Sequence, residues 1–292
     1  MDLGYVGEVW GCRTEAHNTI RVNEQDQFPR TRPAGGATQP DRFCALSEFV
    51  NTDRYDHVLG DATTTYNGVD RGQVVNNVKK ATREMMYLRP DVFVIYDDVQ
   101  TTGPVPVDWL AHTLGEITVK GETVTVTQGG AAVDIAVIEP ARFDARVQSG
   151  PPADTEIRID DRRTKQHPFV RIRPVEATDH TRMLTVLLPR RAGERQQAVT
   201  TPIRAEGVLG VRIAKGDVTG IALFATGEGG IRHSGIATDA RSCFLLLQGE
   251  RLVQVAIHRG ARAEYQGQAL FPARAERRES IVWQEGQALV EE

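Results

Sequence analysis

The chain has 292 residues, of which 35 are Lys or Arg and 39 are Asp or Glu, so its formal net charge is -4. This balance argues against a general nucleic-acid or membrane-surface binder, because such proteins carry a clear excess of positive charge. The longest apolar runs, such as Cys243 to Leu247, have the length of strands, whereas a transmembrane helix needs roughly 18 or more apolar residues.

The first predicted strand follows a histidine. Thr19 to Val22 has the β-branched content of a strand, and a polar turn comes after it. His17 and Asn18 therefore lie at the entrance of this strand. Asp2 precedes them, and a carboxylate and a neutral imidazole on neighbouring strands can share a zinc ion, although zinc requires three or four ligands. The alternative is that His17 hydrogen-bonds a loop and that Asp2 belongs to a fraying terminus.

A basic loop follows this strand. Residues Pro29 to Pro40 are rich in Pro, Gly, Arg and Thr, which predicts an irregular surface segment. Arg30 and Arg32 are candidates for contacting an anion beside His17. The alternative is that they are only solvated, as exposed arginines in loops commonly are.

Strand-length apolar segments continue along the chain. Val92 to Tyr96 is almost continuously apolar and predicts a strand buried on both faces. Leu88 to Asp91 predicts a tight turn before it, and Asp97-Asp98 is interpreted as a hairpin-end feature after it, not as a catalytic pair. Gly129-Gly130 predicts a reversal between two further strands. Residues Pro140 to Pro168 are polar and predict an irregular crossing.

One histidine stands out within a predicted strand. Because side chains alternate along a strand, Trp109 to Leu114 would place Leu110 and His112 on one sheet face. A histidine that faces into a sandwich needs a hydrogen-bond partner, so His112 is either close to a substrate or a satisfied core residue. The remaining histidines lack the spacing of a metal motif and are predicted to be structural or exposed: His57, His167, His180, His233 and His258.

No long segment shows the periodicity of an amphipathic helix. The sequence therefore predicts an all-β fold, a layered antiparallel β-sandwich of the supersandwich kind, followed by a smaller C-terminal β region. Residues 190 to 201 are charged and polar, which predicts a boundary between a domain of residues 1 to 190 and another of residues 191 to 292.

Six stretches, taken in their order along the chain, carry a resemblance to a known family: Asp2 to Tyr5, Ala16 to Val22 with Gln27, Gly60 to Tyr66, Arg83 to Val99, Trp109 to His112 and Leu184 to Pro189. Together they resemble the β-sandwich portion of the heparinase II/III-type polysaccharide lyases. Residues 191 to 292 share with that family only their richness in strands.

The resemblance implies a fold in which antiparallel sheets follow an N-terminal helical toroid. It also implies cleavage of uronic-acid polysaccharides by β-elimination, in which a base removes the C5 proton and an acid protonates the leaving C4 oxygen. In the family a tyrosine and histidines do this work, and a zinc ion braces the site. The zinc-binding positions of the family's motifs correspond here to Asp2 and His17, and a third ligand, a histidine, lies upstream. Leu3 replaces the serine that usually follows the aspartate.

The sequence begins one residue before Asp2, so the third zinc ligand, the toroid and the catalytic tyrosine are not among its residues. We therefore expect the C-terminal part of a lyase, truncated and inactive or nearly so alone, with no catalytic residue carried over. The expected partners are an anionic polysaccharide, such as a glycosaminoglycan or alginate, and an N-terminal toroid domain or chain. The expected substrate-proximal residues are Asn18, Arg30, Arg32 and His112. The resemblance implies a periplasmic or extracellular location.

A second hypothesis is a non-catalytic carbohydrate-binding β-sandwich. In it Arg30, Arg32 and an exposed aromatic residue such as Trp10 would dock sugar rings without chemistry. An adjacent open reading frame that encodes a helical toroid would favour the lyase, and its absence would favour the binding module.

Overall fold

A computed structural model describes residues 13–27, 44–70, 73–75, 77–150, 158–159, 162–163, 167–270 and 278–289. Asp2, Trp10, Arg30 and Arg32 lie outside these ranges. Within them the chain forms strands and two 3-10 helices, η1 (Thr14–Ala16) and η2 (Thr63–Tyr66). The prediction of an all-β fold is confirmed. Neither described helix has the length and apolar content needed to cross a membrane.

The chain divides into two compact units. The first unit contains Met1–Ser47, Val58–Met86 and Asp91–Glu194. The second unit contains Arg195–Glu292 together with Glu48–His57 and Tyr87–Pro90. The second unit is therefore built from three separate stretches of sequence.

The described residues before residue 195 form sixteen strands: β1 (Ile20–Val22), β2 (Ala45–Asn51), β3 (Tyr55–Asp61), β4 (Gly68–Asp70), β5 (Gln73–Val75), β6 (Val78–Leu88), β7 (Val92–Val105), β8 (Val107–His112), β9 (Glu116–Lys120), β10 (Thr123–Gln128), β11 (Ala131–Glu139), β12 (Phe143–Gly150), β13 (Arg158–Ile159), β14 (Arg162–Arg163), β15 (His167–Pro174) and β16 (Thr178–Arg191). They form a four-stranded sheet in the order β1-β8-β15-β12 and an eight-stranded sheet in the order β2-β3-β6-β7-β16-β11-β10-β9. Two ribbons, β4-β5 and β13-β14, complete the set.

The first unit has a hydrophobic core supplied by both of its larger sheets. Ile20, Trp109 and Ile172 come from the four-stranded sheet, and Ile95 and Met183 come from the eight-stranded sheet. Alternation along β8 explains which residues point inward, because Trp109 joins the core while Asp108 and Leu110 face the other side. Burial of each large apolar side chain contributes about 1.5–3 kcal/mol, so this layer accounts for much of the first unit's stability.

Eleven more strands lie in the part of residues 195–292 that the structure describes: β17 (Val199–Ala205), β18 (Val208–Lys215), β19 (Val218–Ala225), β20 (Ile231–His233), β21 (Ile236–Thr238), β22 (Ser242–Gln248), β23 (Arg251–Gly260), β24 (Ala263–Tyr265), β25 (Gln268–Ala269), β26 (Arg278–Gln284) and β27 (Gln287–Leu289). They form a seven-stranded sheet in the order β17-β18-β19-β22-β23-β26-β27 and a four-stranded sheet in the order β20-β21-β24-β25. Leu223, Leu245, Ile257 and Ile281 belong to the core of this second unit.

Several predictions of local structure are confirmed. Arg89 and Pro90 form the turn between β6 and β7, and the reversal at Gly129-Gly130 joins β10 to β11, with Gly129 at φ +58°. Along Val92 to Tyr96 both faces are largely covered, since Val94, Ile95 and Tyr96 are all buried. Left-handed backbone at Gly129 suits a residue without a Cβ.

Two predictions of local structure are wrong. Residues 140 to 168 are not a continuous irregular crossing, because Phe143–Gly150 is a regular strand at the edge of the four-stranded sheet. Val147 is exposed there, and an edge strand with an exposed face lacks the apolar pattern that marks a buried strand. Asp97 and Asp98 do not end a hairpin, because β7 continues to Val105 and buries both carboxylates.

Candidate functional site

A buried ion pair lies between neighbouring strands β6 and β7. Arg83 binds Asp97 through two bonds, Nε to Oδ1 at 2.6 Å and Nη2 to Oδ2 at 3.1 Å. The Asp97 side chain is only 1% exposed, so this fork supplies the charge that makes its burial tolerable. Burial alone lowers the pKa of Arg83, but the Asp97 carboxylate raises that pKa above its ordinary value, so the guanidinium stays charged.

The ion pair is joined to Asn18 and His112, two of the four residues that sequence analysis placed near a substrate. Arg83 Nη1 donates to the backbone carbonyl oxygen of Asn18 at 3.2 Å. Asn18 Oδ1 in turn accepts the backbone N–H of His112 at 2.6 Å. The entrance of β1 and the end of β8 are therefore held together, although Asn18 and His112 lie far apart in the sequence.

His112 is fixed in position by two contacts. Its Nε2 lies 2.9 Å from the carbonyl oxygen of Glu15, and a carbonyl can only accept, so Nε2 carries the hydrogen. Its ring stacks on Phe169, with centroids 4.6 Å apart and planes 18° apart. The side chain is buried. His112 is thus anchored through Nε2 as a core histidine is, while it also lies against a cavity.

A cavity of about 670 Å³ opens beside these residues within the first unit. Strands of both large sheets contribute to its wall, which is mostly apolar, and its polar residues include Asn18, Arg83, His112 and Gln128. This volume falls in the range of about 300–1,000 Å³ that small-ligand sites occupy, and an apolar wall with a few polar groups is typical of such sites.

Trp109 adds a hydrogen-bond donor to this region. It lines the cavity, its side chain is buried, and its indole Nε1 finds no acceptor within the described part of the chain. A buried donor of this kind is usually paired in a folded protein. An oxygen atom of a ligand or of water would satisfy it.

Tyr66 lies close to the ion pair but belongs to the core. Its hydroxyl donates to the carbonyl oxygen of Ile20 at 2.7 Å. Burial raises the pKa of Tyr66 to about 12, so its hydroxyl remains protonated at neutral pH. Tyr66 is therefore a structural residue and not an acid or base at the cavity.

The remaining predicted site residues are not gathered at the cavity by the described structure. His17 is half-buried directly after η1, where its backbone N–H donates to Thr14 O at 3.2 Å, and it is not among the residues that line the cavity. Asp2, Arg30 and Arg32 lie outside the described residues. The zinc pair Asp2 and His17 and the basic loop thus remain predictions.

A second polar cluster lies beside a separate cleft of about 290 Å³. Sequence analysis did not predict this cluster. Asp98 accepts from Lys80 Nζ at 2.5 Å, and its Oδ1 lies 2.6 Å from His180 Nε2. Burial raises the pKa of Asp98, but Lys80 and His180 more than offset burial and hold that pKa below its ordinary value. Asp98 is therefore a charged carboxylate with two partners.

A third cluster lies in the second unit. Glu48, His57 and His258 are all buried, and one ligand atom from each lies within 4.8 Å of the others. These residue types bind metal ions in proteins. Sequence analysis interpreted His57 and His258 as structural or exposed, because no local motif links residues on β2, β3 and β23.

The layered antiparallel sheets and the cavity define the class of the first unit as a β-sandwich with a ligand-sized opening.

No protein-family model and no curated protein matches the sequence. Among solved structures, the heparan sulfate lyase HepC from Pedobacter heparinus is similar with a TM-score of 0.52 at 10% identity, over 86% of this chain and 34% of that chain. A heparinase III is similar with a TM-score of 0.52 at 13% identity, over 73% of this chain and 32% of that chain.

A second heparinase III structure has a TM-score of 0.50 at 14% identity, over 74% of this chain and 30% of that chain. This chain thus spans about a third of the length of the solved structures it matches. At such identities the likeness concerns the fold alone. The resemblance to polysaccharide lyases is therefore confirmed at the level of the fold.

Proposed function

We propose that this chain forms the β-sheet portion of a polysaccharide lyase that cleaves uronic-acid-containing glycans by β-elimination. The observation that carries the proposal is the meeting of Asn18 and His112 at one cavity. These residues come from two separate stretches on which the sequence resemblance rests. The shared fold with heparan sulfate lyase and heparinase III supports the same conclusion.

In this proposal the cavity is one wall of the glycan-binding cleft. Asn18 is exposed at its rim, and the apolar surface around Trp109 suits the non-polar face of a sugar ring. Arg83 is already paired with Asp97, so attraction of an anionic glycan is assigned to Arg30 and Arg32 of the basic loop. The acid and the base of the reaction come from an N-terminal helical toroid, as a domain or as a partner chain.

Zinc is part of the same proposal. Asp2 would supply a carboxylate oxygen and His17 an imidazole nitrogen, and the toroid portion would supply a further histidine. The metal would brace the sheet side of the site. Because lyases of this family work on extracellular polymers, we assign the protein to the periplasm or the cell exterior.

The test is binding of uronate oligosaccharides to the chain, measured by calorimetry and by NMR shifts of assigned amides. Heparan sulfate and alginate fragments are compared with a neutral glucan. We expect binding that shifts the amides of Asn18 and His112, with no unsaturated uronate product from the chain alone. Asn18→Ala should weaken binding about fivefold, because one hydrogen bond is worth about 1 kcal/mol.

Asn51→Ala is the matched control, because Asn51 is an exposed asparagine of the second unit whose side-chain amide donates to the nearby Asp56. It should leave the affinity unchanged. Failure of every uronate fragment to bind, or equal weakening by both substitutions, would contradict the proposal. Strong release of unsaturated uronate by the chain alone would show that its active site lies elsewhere.

A further inference from the structure

The cluster of Glu48, His57 and His258 has the composition of a zinc site. Its three side chains extend from β2, β3 and β23, all within the second unit. Their exposed fractions are 4%, 0% and 2%. Two imidazoles and one carboxylate at a water-excluded position are a donor set that zinc accepts, whereas calcium and magnesium prefer oxygen donors alone.

His258 is held in an orientation that suits a ligand. Its Nδ1 lies 2.7 Å from Ser280 Oγ, and its Nε2 lies 2.8 Å from the hydroxyl of Tyr55. Metal-binding histidines usually donate one ring N–H to a fixed partner while the other nitrogen binds the ion. Ser280 can accept from Nδ1, and the Nε2 lone pair then faces Tyr55. The Tyr55 hydroxyl is the group that an ion would have to displace.

The arrangement of the two imidazoles requires a modest rearrangement. The rings of His57 and His258 stack with centroids 3.5 Å apart and planes 10° apart. The lone pairs of two parallel rings lie in two parallel planes, so one ring must tilt for both nitrogens to reach one ion. Zinc bonds of about 2.0–2.1 Å place tetrahedral ligand atoms about 3.3 Å apart. The three ligand atoms of the cluster must therefore also move closer to one another than they lie now.

Arg259 shows how the charge of Glu48 is balanced. Its Nε donates to Glu48 Oε1, and its side chain is 49% exposed. Arg259 has a left-handed φ of +55°, and the register of β23 with β26 passes over it between His258 and Gly260. A half-exposed guanidinium can move into solvent when a divalent ion takes its place beside the carboxylate.

We propose that Glu48, His57 and His258 bind one zinc ion inside the second unit. A fourth position is left for one water molecule. Ser280 is a positioning residue that orients His258. This site uses none of the residues of the zinc site proposed at Asp2 and His17, and its expected role is to join β2 and β3 to β23.

The experiment titrates the metal-free 292-residue chain with zinc sulfate against a chromophoric chelator. Wild-type protein and His17→Ala should both take up zinc at this site, while His57→Gln should lose affinity by more than about tenfold. X-ray absorption of the loaded His17→Ala protein should show two imidazole nitrogens at about 2.0–2.1 Å. Magnesium and calcium chloride at equal concentration should not compete.

Two milder substitutions test the site even if His57→Gln does not fold, because they leave all three ligands in place. Ser280→Ala should weaken zinc binding by about 10- to 100-fold, as loss of an orienting partner does. Tyr55→Phe should tighten it about fivefold, because the hydroxyl no longer competes for Nε2. Equal affinities for both substitutions and wild type would overturn the proposal. Zinc uptake that vanishes in His17→Ala yet persists in His57→Gln, or no uptake by any form, would do so as well.

Discussion

The pairing of Arg83 with Asp97 gives a prediction at the scale of single residues. Arg83→Met would leave the Asp97 carboxylate buried without its counter-charge, since Asp97 is only 1% exposed. Breaking a buried pair from one side costs about 3–5 kcal/mol. We expect the free energy of unfolding of the first unit to fall by that amount, as measured by urea denaturation.

Lys80→Met is the matched control, because it removes another β6 cation from a neighbouring aspartate. Lys80 is 41% exposed and its partner Asp98 keeps His180, so the loss should stay below about 1 kcal/mol. The double substitution Arg83→Met with Asp97→Leu should recover much of the first loss. Equal destabilisation by Arg83→Met and Lys80→Met would show that Asp97 does not depend on Arg83.

The same residues show what a sequence can predict at this scale. Asp97 and Asp98 follow an apolar run, and two adjacent acids in that place usually indicate a turn. Inside β7, however, their side chains point to opposite faces, and each finds a cation on β6. That match depends on the lateral pairing of strands, which no local pattern encodes.

Gly210 gives a prediction at the scale of a strand. It lies in β18, opposite Ile203 of β17 and Leu223 of β19. A Cβ at this position would lie 2.4 Å from the carbonyl oxygen of Ala222 and 2.7 Å from Leu223 Cδ2. Gly210→Ala would force β18 away from β19, and overpacking of this kind costs about 1–3 kcal/mol. We expect a matching loss in the free energy of unfolding of the second unit, measured by chemical denaturation.

Gly227→Ala controls for the general effect of replacing glycine. A Cβ added at Gly227 would meet no atom within 4 Å in the described part of the chain, and Gly227 is not a residue with positive φ. The change should be neutral or stabilise by about 0.4–1 kcal/mol through the unfolded chain. If Gly210→Ala were equally harmless, the close approach of β18 and β19 would have to relax at no cost.

Core strands could be predicted from the sequence because they are apolar at nearly every position. Edge strands could not be predicted in this way. Val92 to Tyr96 is apolar at nearly every position and is indeed buried in β7. Phe143 to Gly150 alternates apolar and polar residues weakly, because one face of an edge strand meets solvent. The cavity residues Asn18 and His112 were suggested by the sequence, but their contact arises only when β1 pairs with β8.

At the scale of the whole molecule, the second unit draws on distant parts of the sequence. Glu48–His57 and Tyr87–Pro90 belong to it, although the rest of the unit begins at Arg195. Composition predicts that each of these segments is strand or turn, but it cannot predict which unit they join. The buried cluster of Glu48, His57 and His258 was invisible for the same reason.

This organisation leads to a prediction about a fragment of residues 195 to 292. In the full chain Tyr55 is buried, stacks on Phe244 with centroids 4.9 Å apart, and bonds to His258. The fragment would expose Phe244 and leave His258 without that partner. Loss of one large buried aromatic side chain costs about 3–5 kcal/mol, a large part of the roughly 5–15 kcal/mol that stabilises a domain. We expect the fragment to unfold at a far lower urea concentration than the second unit does in the 292-residue chain. The substitution Tyr55→Ala in the 292-residue chain should cause a smaller loss of stability than this truncation. A fragment as stable as the intact unit would mean that Glu48–His57 and Tyr87–Pro90 add surface contacts without completing the core.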